Sequence, residues 1–207
     1  IEEKLLLYLY LIIVKKVICV ILLTCSIVLF SQQKKPKLVV GIVVDQMRNE
    51  YLNRFYQDFG INGFKRLMTQ GYMYHNMHYN YMPTYTGPGH ASIYTGTTPA
   101  VHGIVGNEWF NKATGKDMYC TDDATVSTIG DDSDKEGKMS PRNLQSSTIT
   151  DELKLSTNFK GKVIGISIKD RGAILPAGHF ADWAFWYSKT GAFISSTYYG
   201  EKLPDWA

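Results

Sequence analysis

Cysteine is scarce: there are three in 207 residues, and two of them, Cys19 and Cys25, fall in an apolar amino-terminal stretch, so the rest of the chain holds Cys120 alone. One thiol builds neither a disulfide framework nor a cysteine-based metal site. A surplus of one charge is also missing. The net charge is +3, and apart from Lys15-Lys16 and Lys34-Lys35 the basic residues are scattered, which leaves no stripe for nucleic acid. There is no internal repeat and no low-complexity run. With 44% hydrophobic and 20% charged residues, the composition is that of a globular chain with one sizeable core rather than a disordered one.

The first 36 residues differ from the rest. Residues 5–14 are apolar, Lys15-Lys16 interrupts, and residues 17–30 run apolar up to Ser31-Gln32-Gln33-Lys34-Lys35-Pro36. Lysines, an apolar run and a small residue form the three zones of a secretory signal peptide. A membrane anchor across residues 5–30 is the alternative, opposed by the two lysines. No Met precedes Met47, so residues 1–13 are read as a translated upstream stretch with the true start near Val14. The expected division is 1–34 for upstream stretch and signal peptide, and 35–207 for a catalytic domain portion carrying a surface insertion at about 122–142. Cys25 after Leu22-Leu23-Thr24 is a faint lipoprotein pattern. The expected location is the periplasm or the exterior, with no stable membrane partner once the signal is removed.

Beyond that stretch, strands alternate with helices. Residues 38–44 form an unbroken apolar, β-branched run, the pattern of a strand buried on both faces of a parallel sheet. An amphipathic helix follows over 48–59, with Tyr51, Leu52, Phe55, Tyr56 and Phe59 inward, then a short one over 61–70 closed by Gly71. Residues 72–81 read as extended. A helix over 88–95 opens at a Pro/Gly turn and closes at Gly96. Short strands at Trp109-Phe110 and Met118-Tyr119-Cys120 flank a turn. Thr148 and Asp151 are spaced as a capping box, residues 162–167 form a second buried strand, and 183–187 with 192–197 form a hairpin. The order indicates an open α/β sheet with its chemistry at strand carboxyl ends.

The chemistry concentrates in Pro83-Thr84-Tyr85-Thr86-Gly87-Pro88-Gly89-His90 and His102-Gly103-Ile104-Val105-Gly106-Asn107. Thr86 sits on a turn that opens a helix, where unpaired backbone N–H groups and a positive partial charge meet an anion. On local sequence alone it is equally an N-cap. Asn107, 21 positions later, offers two uncharged N–H donors for a phosphoryl oxygen, or is an ordinary left-handed turn residue. Lys169 and Arg171, one residue apart after a strand, point to the same side if extended and place two cations near one phosphate; the alternative is a solvated loop pair. Asp45 ends an apolar strand, where it serves as ligand or as turn residue. Asp131-Asp132-Ser133-Asp134 lacks the glutamate a calcium loop needs at its twelfth position, where Arg142 stands, and reads as a solvated loop. His90 and His102 order their turns, and Trp183, Phe185, Trp186 and Tyr187 pack.

On these residues the chain resembles the alkaline phosphatase superfamily, in its type I phosphodiesterase/nucleotide pyrophosphatase branch, and within it the phosphate-irrepressible alkaline phosphatases. The resemblance runs from about Lys35 to the last residue. It implies an alkaline-phosphatase-like open, mostly parallel sheet flanked by helices, incomplete in this chain. It makes Asp45 a zinc ligand, Thr86 the zinc-bound nucleophile, Asn107 a phosphoryl-oxygen donor, and Lys169 with Arg171 the cationic pair of monoesterases, which diesterases of the family generally lack. Two zinc ions and small phosphorylated substrates come with it. The remaining ligands of such enzymes lie farther along, and none of His75, His78, His90, His102 and His179 stands in an Asp-His or Asp-x-x-x-His pair. The expectation is the front portion of a phosphomonoesterase, inactive as 207 residues. A diesterase or nucleotide pyrophosphatase using the same threonine, and an inactive phosphate- or metal-binding module, are the alternatives.

Overall fold

The computed structural model describes residues 2–30, 36–133 and 135–207. The expected cleavage zone at 31–35 and Asp134 of the acidic run lie outside them. The chain divides into two units, Ile1–Ile42 and Val43–Ala207. In the first, helix α1 (Glu2–Phe30) runs through both apolar stretches and through Lys15-Lys16 without a break. Among the described residues no helix is long and apolar enough to cross a membrane. The run expected to be a buried strand forms no ladder: Leu38, Val39, Val40 and Ile42 are all more than two-thirds exposed. Its β-branched pattern encodes an extended chain, but burial requires neighbouring strands, and none pairs with it among the described residues.

The second unit opens with two short helices, α2 (Glu50–Arg54) and α3 (Phe64–Gln70), the latter capped by Gly71. The helix expected over 48–59 therefore stops at Arg54; Phe55 is exposed, and without a covering layer its apolar stripe has nothing to hold it helical. Residues 72–81 form bends and no strand. Helices α4 (Thr86–Thr95) and α5 (Pro99–His102) end at Gly96 and Gly103, both left-handed, at φ 68° and 79°. Strands β1 (Glu108–Asn111) and β2 (Lys116–Tyr119) form the expected antiparallel hairpin.

A four-stranded sheet carries the core, built from β3 (Thr128–Ile129), β4 (Ile164–Ile166), β5 (Trp183–Tyr187) and β6 (Phe193–Ser196) in the order β3-β6-β5-β4. Only β4 and β5 pair in parallel, joined by helix α7 (Asp170–Ala177). The sheet in these residues is thus mixed rather than mostly parallel, because hairpin β5–β6 and the returning β3 contribute antiparallel neighbours. Strand β4 stands at the edge, so Ile164 and Ile166 are exposed instead of doubly buried. Segment 122–142 is more than a surface insertion: it supplies β3, and Asp123 and Ser140 are buried and hydrogen-bonded to each other at 2.6 Å. Asp131 accepts from the Ser188 and Thr190 hydroxyls, both at 2.7 Å, which ties the acidic run to the β5–β6 turn.

Two apolar clusters set the positions of α4 and α7. Ala173, Ile174 and Ala177 of α7 pack on Ala184, Trp186 and Ile194 of the sheet. Gly165 makes that approach possible, since a side chain there would run into the Ala173 carbonyl and stand 2.9 Å from the Ala177 methyl. Leu175 on the other side of α7 joins Ala91 of α4, Ile104, Cys120 and Leu144. Helix α6 (Ile149–Ser156) starts in the expected capping box, with the Thr148 hydroxyl accepting from the Asp151 amide and the Asp151 carboxylate from the Thr148 amide.

Candidate active site

Tyr85 is extended at φ −67°, ψ 165° and precedes the first helical residue, Thr86. Thr86 is therefore inside the first turn rather than at the cap, and its hydroxyl is directed elsewhere: Oγ1 donates to Asp45 Oδ2 at 3.4 Å. Pro88 fits the first turn because its missing N–H would have no intrahelical partner there. His90 Nδ1–H donates to the Thr86 carbonyl at 2.9 Å, which holds the turn. Buried His102 accepts from the Ile104 amide on Nδ1 at 3.1 Å and donates from Nε2 to Ser92 at 2.9 Å. Burial lowers its pKa from 6.5 and keeps it neutral. Both histidines order loops, as their motif positions indicated.

Asn107 is not a left-handed turn residue, since the positive φ values outside glycine fall at Gln46, Asn158 and Phe159. Its Oδ1 accepts the Gly87 N–H at 2.7 Å. That bond fixes the amide orientation and leaves the Nδ2 donors for something else. Gly87 permits the approach: a Cβ there would lie 3.1 Å from Asn107 Oδ1 and 3.3 Å from Cys120 Sγ. The Cys120 amide donates to the Asn107 carbonyl at 2.9 Å, joining the carboxyl end of β2 to the same turn. Burial, then Asp170, pushes the Cys120 thiol up to about 12, which keeps it protonated.

Lys169 and Arg171 meet by a route other than a common extended segment. Lys169 is the extended N-cap of α7 and Arg171 lies in its first turn, because the strand ends before the pair and Asp170 already starts the helix. Both line a cavity of about 480 Å³, together with Tyr119, Trp186, Ser188 and Lys135. Arg171 Nη1 donates to Tyr119 Oη at 2.7 Å, Tyr119 donates to Asp170 Oδ1 at 2.9 Å, and Thr121 donates to Asp170 Oδ2 at 2.5 Å. Burial and the Asp170 carboxylate raise the Tyr119 pKa, so its hydroxyl keeps its proton. Sequence reasoning missed Tyr119, Thr121 and Asp170; the one signal was an aspartate set between two cations.

The oxygens of Asp45 and Thr86 suit a divalent cation, yet two donors do not complete a catalytic site. Among the described residues no group of three or more His, Cys, Asp or Glu could hold a metal.

The model of the family described as type I phosphodiesterase / nucleotide pyrophosphatase matches residues 39–206. The chain belongs to that family. A relative in it, alkaline phosphatase PafA of Elizabethkingia meningoseptica, is 55% identical over 173 residues, covering 83% of this chain and 32% of the relative. A Myroides odoratus protein named calcium-transporting ATPase is 58% identical over 174 residues, covering 84% and 32%. The crystal structure of wild-type PafA superposes with a TM-score of 0.83 at 54% identity, over 85% of this chain and 34% of that one. This family member thus has the alkaline phosphatase fold and spans about a third of the length of the curated relatives it matches. A solved PafA variant, at TM-score 0.83 and 51% identity over 85% of this chain and 34% of that one, has a threonine, an asparagine, a lysine and an arginine replaced.

Proposed function

We propose that this chain contributes to a zinc-dependent phosphate monoester hydrolase acting through a phosphothreonine. The observation that carries the reading is the Thr86 hydroxyl in the first turn of α4, 3.4 Å from Asp45, with Asn107 anchored to the adjacent Gly87. The four residues replaced in the PafA variant have the types and spacings of Thr86, Asn107, Lys169 and Arg171, which supports the same assignment.

Thr86 Oγ1 attacks phosphorus in line, the bond to the leaving alcohol breaks, and water then hydrolyses the phosphothreonine to phosphate and free threonine. Asn107 Nδ2 donates to a non-bridging oxygen, worth most as charge builds in the transition state. Lys169 and Arg171 balance the second negative charge that a monoester carries and a diester lacks. Asp45 and Thr86 would hold part of the zinc centre, which when bound makes the hydroxyl a competent nucleophile and stabilises the leaving oxygen. The ligands that complete it belong, on this reading, to the length of the relatives that this chain does not span, so residues 1–207 alone are expected to be inactive. Export to the periplasm or the medium fits the signal-like residues 14–34, and the substrates are small phosphate esters.

The family description favours one second reading, a diesterase or nucleotide pyrophosphatase with the same nucleophile. Initial rates on a monoester and a diester, measured in the full-length enzyme and its Lys169→Ala and Arg171→Ala variants, separate the two. Selective loss of monoester turnover supports the monoesterase, and equal losses support the diesterase. Thr86→Ala should abolish both activities, and chelation should do so reversibly, with zinc restoring the rate. Full turnover after either treatment would overturn the mechanism.

A further inference from the structure

We infer that Tyr119 is a positioning residue that keeps Arg171 available to an anion by standing as a neutral acceptor between its guanidinium and the Asp170 carboxylate. The inference rests on the proposed phosphoryl contact of Arg171. Asp170 and Arg171 are adjacent in sequence, and Asp170 is buried. An arginine beside a buried carboxylate ordinarily closes a bidentate pair that occupies its fork. Here the ion pairs among the described residues do not include Arg171.

Hydroxyls occupy both Asp170 oxygens instead. Thr121 donates to Oδ2 at 2.5 Å and Tyr119 to Oδ1 at 2.9 Å. With its only proton committed to Asp170, the Tyr119 oxygen turns its lone pairs to Arg171 Nη1, at 2.7 Å. Among the described residues this is the one hydrogen bond made by the Arg171 side chain, and its Nε is buried without a partner. The remaining Nη donors make no hydrogen bond among the described residues and are left for a ligand in the cavity that Arg171 lines. Tyr119 ends β2, and the next residue, Cys120, donates to the Asn107 carbonyl at 2.9 Å. One strand end thus registers both phosphoryl-binding groups against each other.

Removing the hydroxyl strands one donor group and one acceptor group that can then pair directly, which closes the fork. In the full-length enzyme, Tyr119→Phe should lower monoester kcat/KM about tenfold or more while touching diester turnover far less. Tyr119→Phe/Arg171→Ala should be no worse than Arg171→Ala alone, since both remove the same function. Tyr119→Phe/Asp170→Asn should regain part of the monoester rate, because no carboxylate remains to capture Arg171. If Tyr119→Phe does not fold, this relieved double variant carries the same cycle with Arg171→Ala. Equal losses on both substrates, or losses that multiply with Arg171→Ala, would overturn the inference and leave a structural role. If Arg171→Ala itself spares the monoester, the functional reading fails first; if only Tyr119→Phe is silent, this inference alone fails.

Discussion

Asn107 has two roles that an isosteric change pulls apart. Its Oδ1 accepts the buried Gly87 N–H at 2.7 Å, and its Nδ2 is the proposed phosphoryl donor. Asn107→Ala removes both. The orphaned N–H in the first turn of α4 then costs about 1–3 kcal/mol, and Tm falls with it. Asn107→Asp keeps an oxygen on Gly87 and adds a negative charge at a helix N-terminus, favourable by about 0.3–1 kcal/mol. Its second oxygen, however, replaces the donor and faces a phosphoryl group of like charge. Loss of one preorganised donor costs about 10²–10³ in kcat, and repulsion adds to that. The aspartate variant of the full-length enzyme should therefore be the more stable and the less active of the two. Thermal melts by circular dichroism and initial rates of phosphate release from a monoester read the two effects separately. The reasoning is refuted if Asn107→Asp retains near-normal turnover, or if Asn107→Ala melts with the unsubstituted protein.

Gly87→Ala would put a methyl 3.1 Å from Asn107 Oδ1 and from the Gly106 carbonyl; turnover should fall with little change in Tm, and unchanged turnover would show that the amide is not held where it must act. Gly165→Ala presses on the α7 backbone at Ala173, so α7 must shift from the sheet; a loss of about 1–3 kcal/mol in denaturant unfolding is expected, and a neutral result would contradict the packing. Buried His102 has its pKa lowered from 6.5. The unfolded chain therefore binds this proton more readily, and stability falls as pH drops from about 6.5 through the lowered folded value. Replacing His102 with glutamine should flatten that part of the stability–pH curve, and an unchanged slope would assign the dependence to other groups.

The elements legible in the sequence are those whose signals lie within a turn or two of chain. Pro88 marks the first turn of α4, which starts two residues before it at Thr86, Gly96 closes that helix, Thr148 with Asp151 caps α6, and the Ser188-Lys189-Thr190-Gly191 turn sets the β5–β6 hairpin. The same local logic placed Thr86 and Asn107 on two glycine-rich turns, which the structure joins through the Gly87 N–H donated to Asn107 Oδ1. Residues 38–44 and β4 differ from their sequence pattern for one reason: an apolar β-branched run states a preference for extended backbone, whereas burial depends on strands and layers far away in sequence.

Sequence alone determined the chemistry available to this protein, since a hydroxyl, a carboxamide, a carboxylate and two cations are properties of residues and of their short-range turns. Only the tertiary structure decided how those groups are aimed. Tyr119 and Thr121 reach Asp170 across 51 and 49 positions, and β3 joins β6 from segment 122–142. Such contacts follow from the packing of α4 and α7 about a shared cluster, where side-chain volume and hydrogen-bond satisfaction act between residues that no local pattern connects.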